Sequence, residues 1–250
     1  MRLTLEIWRQ DSPAAEGRFE TYVVEDATEE MSLLELLDRL NEQLVEEGFE
    51  PVAFDSDCRE GICGACGITV DERPHGPVAN TPSCRQHLRS YRDGDRIRLE
   101  PFRSDAFPVQ RDLVVDRGAL DRVVASGGFV GVDVGTAPDA DARQIPFRTA
   151  EKALDSAACI QCGACVAACP NGSSHLFTGS LLEHLATLPQ GQPERGRRAL
   201  SITATADAEF GPCSVYGECA QVCPAGIPLS AISAVNREAV RARLRGGRDD

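Results

Sequence analysis

Twelve residues, Cys159 to Pro170 (CIQCGACVAACP), restrict what this chain can fold into more than any other stretch. Four cysteines separated by two, two and three residues and closed by a proline form a cubane iron–sulfur ligand run. In such a run three cysteines hold one cluster and the fourth crosses to a second. The chain is therefore expected to carry more than one cluster. Zinc competes for paired cysteines, but structural zinc uses separated pairs around one tetrahedral ion. Here the third cysteine and the Cys-Pro would be surplus.

Eleven cysteines in 250 residues are too many to ignore. The chain opens MRLTLEIW, an alternating strand pattern with charges at Arg2 and Glu6 and no apolar signal core. The thiols are thus expected to be reduced and metal-bound, in the cytoplasm. A net charge of −13 argues against a nucleic-acid partner, which needs a basic face. Residues 1 to 108 hold 23 acidic and 12 basic side chains, and only Arg39 and Arg59 offset the acids between Glu20 and Glu60. That run reads as a solvated face, with steering of a basic partner as the alternative. From Ser156 to Leu182 there is no Asp, Glu, Lys or Arg, yet the stretch is rich in Cys, Gly and Ser, so it is not a membrane span. Burial around clusters explains most of it, and docking on an apolar membrane partner would explain the rest.

In chain order, residues 2 to 8 and Phe19 to Val24 read as a β-hairpin. Ser32 to Glu35 is a capping box, followed by Leu33, Leu36, Leu37, Leu40 and Leu44 on one helical face until Gly48. Short strands are expected at Ile68 to Val70 and Ile97 to Glu100. This order predicts an α+β protein whose first domain, residues 1–108, is a β-grasp domain of the plant-type [2Fe–2S] ferredoxin kind. Beyond Pro108 the periodicity becomes helical, and residues 109–250 are expected to form an all-α bacterial-type ferredoxin domain. Its first helix is placed on Leu113, Leu120, Val123 and Val124. A Gly- and Asp-rich connection follows at Ser126 to Ala142, then helices over 173–188, 193–208 and 228–245.

The loop FDSDCREGICGACG places Cys58, Cys63 and Cys66 in the spacing of a plant-type [2Fe–2S] cluster. Cys84 lies alone between Cys66 and Cys159 and completes the set. Gly61, Gly64 and Gly67 suit a loop that must approach sulfur closely. His75 reads as a surface loop residue, and His87, His175 and His184 as surface or interface residues. The second C-terminal group, CSVYGECAQVCP, overlays the first with Tyr216 where a second cysteine would stand. With the fourth cysteines crossing, Cys159, Cys162, Cys165 and Cys223 hold a [4Fe–4S] cluster. Cys169, Cys213 and Cys219 are left for a [3Fe–4S] cluster, the alternative being a four-iron cluster completed at the Tyr216 corner by water or another residue.

With all three groups in view, the chain resembles the iron–sulfur subunit of succinate dehydrogenase or fumarate reductase. The likeness rests on CREGICGACG, FPVQRDLVVD, CIQCGACVAACP and CSVYGECAQVCP and spans nearly the whole length. It implies electron relay between the FAD of a flavoprotein subunit and a quinone at a membrane anchor, on the cytoplasmic side of the bacterial inner membrane. It also implies a quinone pocket near the three-iron cluster, at Pro170, Asn171, Ser173, Ser174, Ser214 and Tyr216. The ubiquinone-type pattern has tryptophans near Ser173 and Ser174 and a histidine at Ser214, so the chain departs from it. The run PNGSSHLF is similar to members paired with a dihaem cytochrome b anchor and menaquinone. Competing readings are a soluble multi-cluster electron carrier and the iron–sulfur subunit of another flavin-dependent oxidoreductase complex. The Cys58 to Cys84 group speaks against the latter.

Overall fold

A computed structural model of the protein describes residues 1–129, 131, 145–187 and 192–246. Most of the Gly- and Asp-rich connection and the last four residues lie outside them. Strands β1 (Leu3–Arg9) and β2 (Arg18–Val24) form the expected antiparallel hairpin. Period-two alternation turns Leu3, Leu5 and Ile7 inward, where they are fully buried. Helix α1 (Leu33–Glu46) begins at a reciprocal cap. Ser32 Oγ accepts from the Glu35 N–H at 3.3 Å, and Glu35 Oε2 accepts from the Ser32 N–H at 2.6 Å. Gly48 ends the helix at φ +82°, a conformation glycine adopts without penalty.

Strand β5 (Arg96–Pro101) lies parallel to β1, a pairing that needs a crossover, and α1 lies within it. Strands β3 (Ile68–Val70) and β4 (Arg73–Pro74) extend the sheet antiparallel, giving the order β2-β1-β5-β3-β4. The leucine face of α1 shares one core with Leu3, Leu5, Ile7, Ile97 and Leu99. Phe102 and Phe107 belong to a second core with Val166, Phe177, Ile202 and Val235.

The segment after residue 108, expected to be helical throughout, opens instead on a hairpin of β6 (Val109–Arg111) and β7 (Val114–Val115). Leu113 sits at its tip, not on a helix, and packs into the first core. Its amide donates to the Ala53 carbonyl at 3.1 Å. Beside it, buried Asp112 accepts from the amides of Gln10 (2.9 Å) and Ala53 (2.8 Å) and from Arg9 Nε (3.1 Å). Helical periodicity cannot reveal such a tip, because Asp112 holds a left-handed φ of +47° only by virtue of these long-range partners.

The helices are α2 (Gly118–Val123), α3 (Phe147–Ala157), α4 (Ala164–Ala167), α5 (His175–Thr187), α6 (Gln192–Glu209), α7 (Glu218–Gln221) and α8 (Ser233–Gly246). Helix α5 is central, packed on α3, α6 and α8. A Cβ at Gly179 would stand 2.3 Å from the Ala231 oxygen, so only glycine lets α5 approach the turn Leu229–Ile232. Leu176, Phe177, Thr178, Gly179, Ser180 and Leu182 are all buried, which explains the absence of charge in that part of the Ser156–Leu182 run. Among the described residues no helix is long and apolar enough to cross a membrane.

Candidate metal centres

Of the first thiol group, Cys58, Cys63 and Cys66 lie in the loop between α1 and β3, and Cys84 lies on the turn Ser83–Arg85 after β4. Positive φ at Arg59 (+54°), Gly61 (+83°) and Gly64 (+73°) curls this loop so that amides face sulfur. The Cys58 sulfur accepts from the amides of Glu60 at 3.3 Å and Ile62 at 3.5 Å, and the Cys63 sulfur from Ala65 at 3.4 Å. Those backbone donors bring the Cys58 thiol down to about 7. Cys66 and Cys84 hydrogen-bond to each other, which lowers Cys84 to about 7 and raises Cys66. Cys63 is exposed while Cys66 and Cys84 are buried, so the loop has a solvent side and a core side.

His75 corrects the reading of it as a surface residue: it is 1% exposed. Its Nδ1 lies 3.0 Å from Ser83 Oγ and accepts from the Ser83 amide at 3.2 Å. Its ring meets Phe102 edge-on at 5.3 Å. Burial, with the nearby Arg117 charge, pushes His75 down to about 3, so it is neutral and braces the turn that carries Cys84. Turn-rich composition marked the loop; that it folds inward depends on Phe102, 27 residues away. His87 is half-buried, its Nδ1 2.9 Å from the Glu30 carbonyl oxygen.

The seven C-terminal cysteines border two recesses. One, of about 350 Å³, is lined by Cys159, Cys162, Cys165 and Cys223 with Leu176, Phe177 and Ile227. The other, of about 330 Å³, is lined by Cys169, Cys213 and Cys219 with Ser173, His175, Ser214 and Tyr216. Cys165 and Cys169 are joined through the single turn of α4, and Cys219 and Cys223 through α7, so each short helix carries one cysteine to either recess. The two loops repeat each other in backbone as well as sequence. Gln161 and Gly163 have φ of +57° and +87°, and Val215 and Gly217 have +58° and +96°. Tyr216 occupies the place of Cys162 and is 58% exposed, so the second recess is open where the first has a thiol. Burial raises the thiols of Cys159 and Cys165, and that of Cys162 to about 12.

The six residues of the expected quinone pocket divide. Ser173, Ser214 and Tyr216 line the three-cysteine recess, together with His175. Pro170 and Asn171 line a neighbouring recess of about 650 Å³ with Arg103 and Phe210, although Asn171 Nδ2 also donates to Ser214 Oγ at 2.7 Å. Ser174 is buried, its hydroxyl 3.1 Å from that of Thr178.

The two halves meet at the thiol loops. A Cβ on Gly64 would lie 2.1 Å from the Ile160 oxygen. Arg117 donates to the carbonyls of Gly64, of Cys162 at 3.2 Å and of Ala65 at 3.3 Å, tying the first loop to the second. Among the described residues no three His, Cys, Asp or Glu side chains converge tightly enough to hold a single ion. Thiols around open recesses, with N–H groups directed at sulfur, fit iron–sulfur clusters.

Comparison with known proteins agrees. Residues 4–122 match the family model for a 2Fe-2S iron-sulfur cluster binding domain, and residues 155–227 that for a 4Fe-4S dicluster domain. The succinate dehydrogenase iron-sulfur subunit of Bacillus subtilis is 30% identical over 195 residues, covering 75% of this chain and 72% of that one. The chain belongs to the succinate dehydrogenase and fumarate reductase iron–sulfur subunit family. An Escherichia coli fumarate reductase iron-sulfur subunit is likewise 30% identical, over 83% of this chain and 80% of its own length. The fold also matches a solved structure, the Mycobacterium smegmatis Sdh1 complex in the apo form, with a TM-score of 0.67 over 96% of each chain at 21% identity. Membership of this family accounts for a chain with one two-iron type domain followed by one dicluster domain.

Proposed function

We propose that this chain is the electron-transfer subunit of a membrane-associated succinate:quinone oxidoreductase, relaying electrons between the FAD of a flavoprotein subunit and a quinone at a membrane anchor. In this reading residues 1–108 form a β-grasp domain in which Cys58, Cys63, Cys66 and Cys84 hold a [2Fe–2S] cluster. Residues 109–250 form the ferredoxin-like helical domain. There Cys159, Cys162, Cys165 and Cys223 hold a [4Fe–4S] cluster, and Cys169, Cys213 and Cys219 a [3Fe–4S] cluster. The observation that carries the assignment is the division of seven cysteines into recesses of four and three, with Tyr216 at the missing corner.

When bound, the clusters supply one-electron carriers of differing potential. The chain's residues do the rest. Amides of Glu60, Ile62 and Ala65 offset charge on the sulfurs of the first loop, which is also the more exposed and so faces the flavoprotein. Apolar burial shields the four-cysteine recess from water. Arg117 keeps the first and second thiol loops in contact, which fixes the distance an electron travels between them. The open side of the third recess, at Ser214, Val215 and Tyr216, is where a quinone and a cytochrome b-type anchor, haem-bearing and menaquinone-linked, would dock on the cytoplasmic face of the inner membrane.

Purification of the chain with its partners from native membranes, followed by low-temperature EPR and iron analysis, tests the reading. Three spectroscopically distinct centres, one of them paramagnetic when oxidised, are expected. A third site containing four irons, or a chain isolated without a flavoprotein, would overturn it.

A further inference from the structure

Arg117 caps the start of α2 and is half-buried where the two halves of the chain meet. Its guanidinium donates to the Gly64 carbonyl, to that of Ala65 at 3.3 Å and to that of Cys162 at 3.2 Å. Gly64 and Ala65 lie between Cys63 and Cys66, and Cys162 itself lines the four-cysteine recess. One cation therefore stands against the thiol loops of two neighbouring centres. Among the described residues its hydrogen-bond acceptors are all backbone carbonyl oxygens, and none is a carboxylate. Arg59, within the first of these loops, differs, because an ion pair with Asp38 offsets its charge.

Carbonyl oxygens satisfy the guanidinium donors without cancelling a full charge, and a half-buried charge is screened less by salt than an exposed one. We infer that the Arg117 charge raises the reduction potentials of the two-iron and four-iron centres together, besides holding their loops in contact. The reduced form of each cluster carries one more negative charge than the oxidised form, so a neighbouring cation stabilises it. At an effective dielectric constant of about 20, a unit charge roughly 12 Å away shifts an equilibrium about tenfold. Acting on both centres, Arg117 lifts the pair relative to the flavin and leaves the step between them nearly level. The inference rests on Cys58, Cys63, Cys66 and Cys84 holding the two-iron centre, and Cys159, Cys162, Cys165 and Cys223 the four-iron centre.

The test is an EPR-monitored redox titration of the assembled complex carrying native Arg117, Arg117→Lys, Arg117→Gln or Arg117→Met. The two neutral variants should each shift both reduction equilibria about tenfold towards the oxidised state, which is 59 mV for one electron. The third centre, beyond α4, should shift less. Arg117→Lys keeps the charge but cannot span both loops, so its midpoints should stay near the native values while its stability falls. That contrast separates the charge from the structural role, and Arg117→Lys decides alone if the neutral variants do not assemble: a tenfold fall in its midpoints overturns the inference. So do unmoved midpoints in the neutral variants, or a shift confined to one of the two centres. Absence of a two-iron or four-iron signal in the native complex would instead overturn the cluster assignment beneath it.

Discussion

The Arg117 guanidinium donates to the Cys162 carbonyl oxygen at 3.2 Å, across the seam between the two thiol loops. The same side chain holds Gly64 and Ala65 on the other side. Hydrogen bonds to a charged group contribute about 1.5–3 kcal/mol each, and they do not add fully. Arg117→Ala is therefore expected to lower stability by about 3 kcal/mol in chemical denaturation and to slow reduction of the C-terminal centres. Arg117→Lys should restore only part, because an ammonium is a point charge and cannot span carbonyls on both loops.

Gly64 makes a sharper test of the same seam. Alanine there would meet the Ile160 oxygen at 2.1 Å, whereas Gly94, also at positive φ (+88°), has open space around it. Gly94→Ala should cost about 1 kcal/mol, the left-handed penalty alone. Gly64→Ala should prevent the loops from seating, seen as loss of the two-iron signal or a much larger drop in melting temperature.

Asp112 is predicted to be the most sensitive acidic residue of the N-terminal half. It is 1% exposed and serves two amides and Arg9 at once. Asp112→Ala takes the acceptor from both amides and the carboxylate from Arg9, which keeps only Tyr22 and the Glu50 and Pro51 carbonyls, a loss of about 3 kcal/mol. Asp112→Asn, which keeps an acceptor oxygen, should lose less in the same denaturation assay.

His75 predicts a pH dependence. Its folded-state pKa of about 3 lies below the unfolded value near 6.5, so between these limits the unfolded chain binds the extra proton. The stabilisation is complete above pH 6.5 and falls as pH drops, by about 1.4 kcal/mol per unit for one proton. Denaturation between pH 6.5 and 5, where the carboxylates remain largely ionised, should give this slope. His75→Phe should flatten it; an unchanged slope would remove His75 as the cause.

Tyr216→Cys places a thiol at the position matching Cys162. The third site should gain an iron, lose its oxidised-state EPR signal and drop in potential. Iron analysis with EPR reads all three, and an unaltered signal would mean that the open corner lies elsewhere.

Cysteine spacing by itself determined the grouping of the chain into thiol loops, because cluster chemistry demands particular ligands at particular intervals. The capping box at Ser32 and the leucines of α1 were equally legible, since helix signals are local. Sequence could not place Leu113, Asp112 or His75, each of which takes its conformation from residues dozens of positions away. Nor could it have singled out Arg117, an ordinary arginine until folding sets it against two loops. Spacing states which thiols can share a cluster. Only tertiary packing decides how far apart the thiol loops stand and which dipoles face them, because those depend on close approach between chain segments that no local pattern encodes.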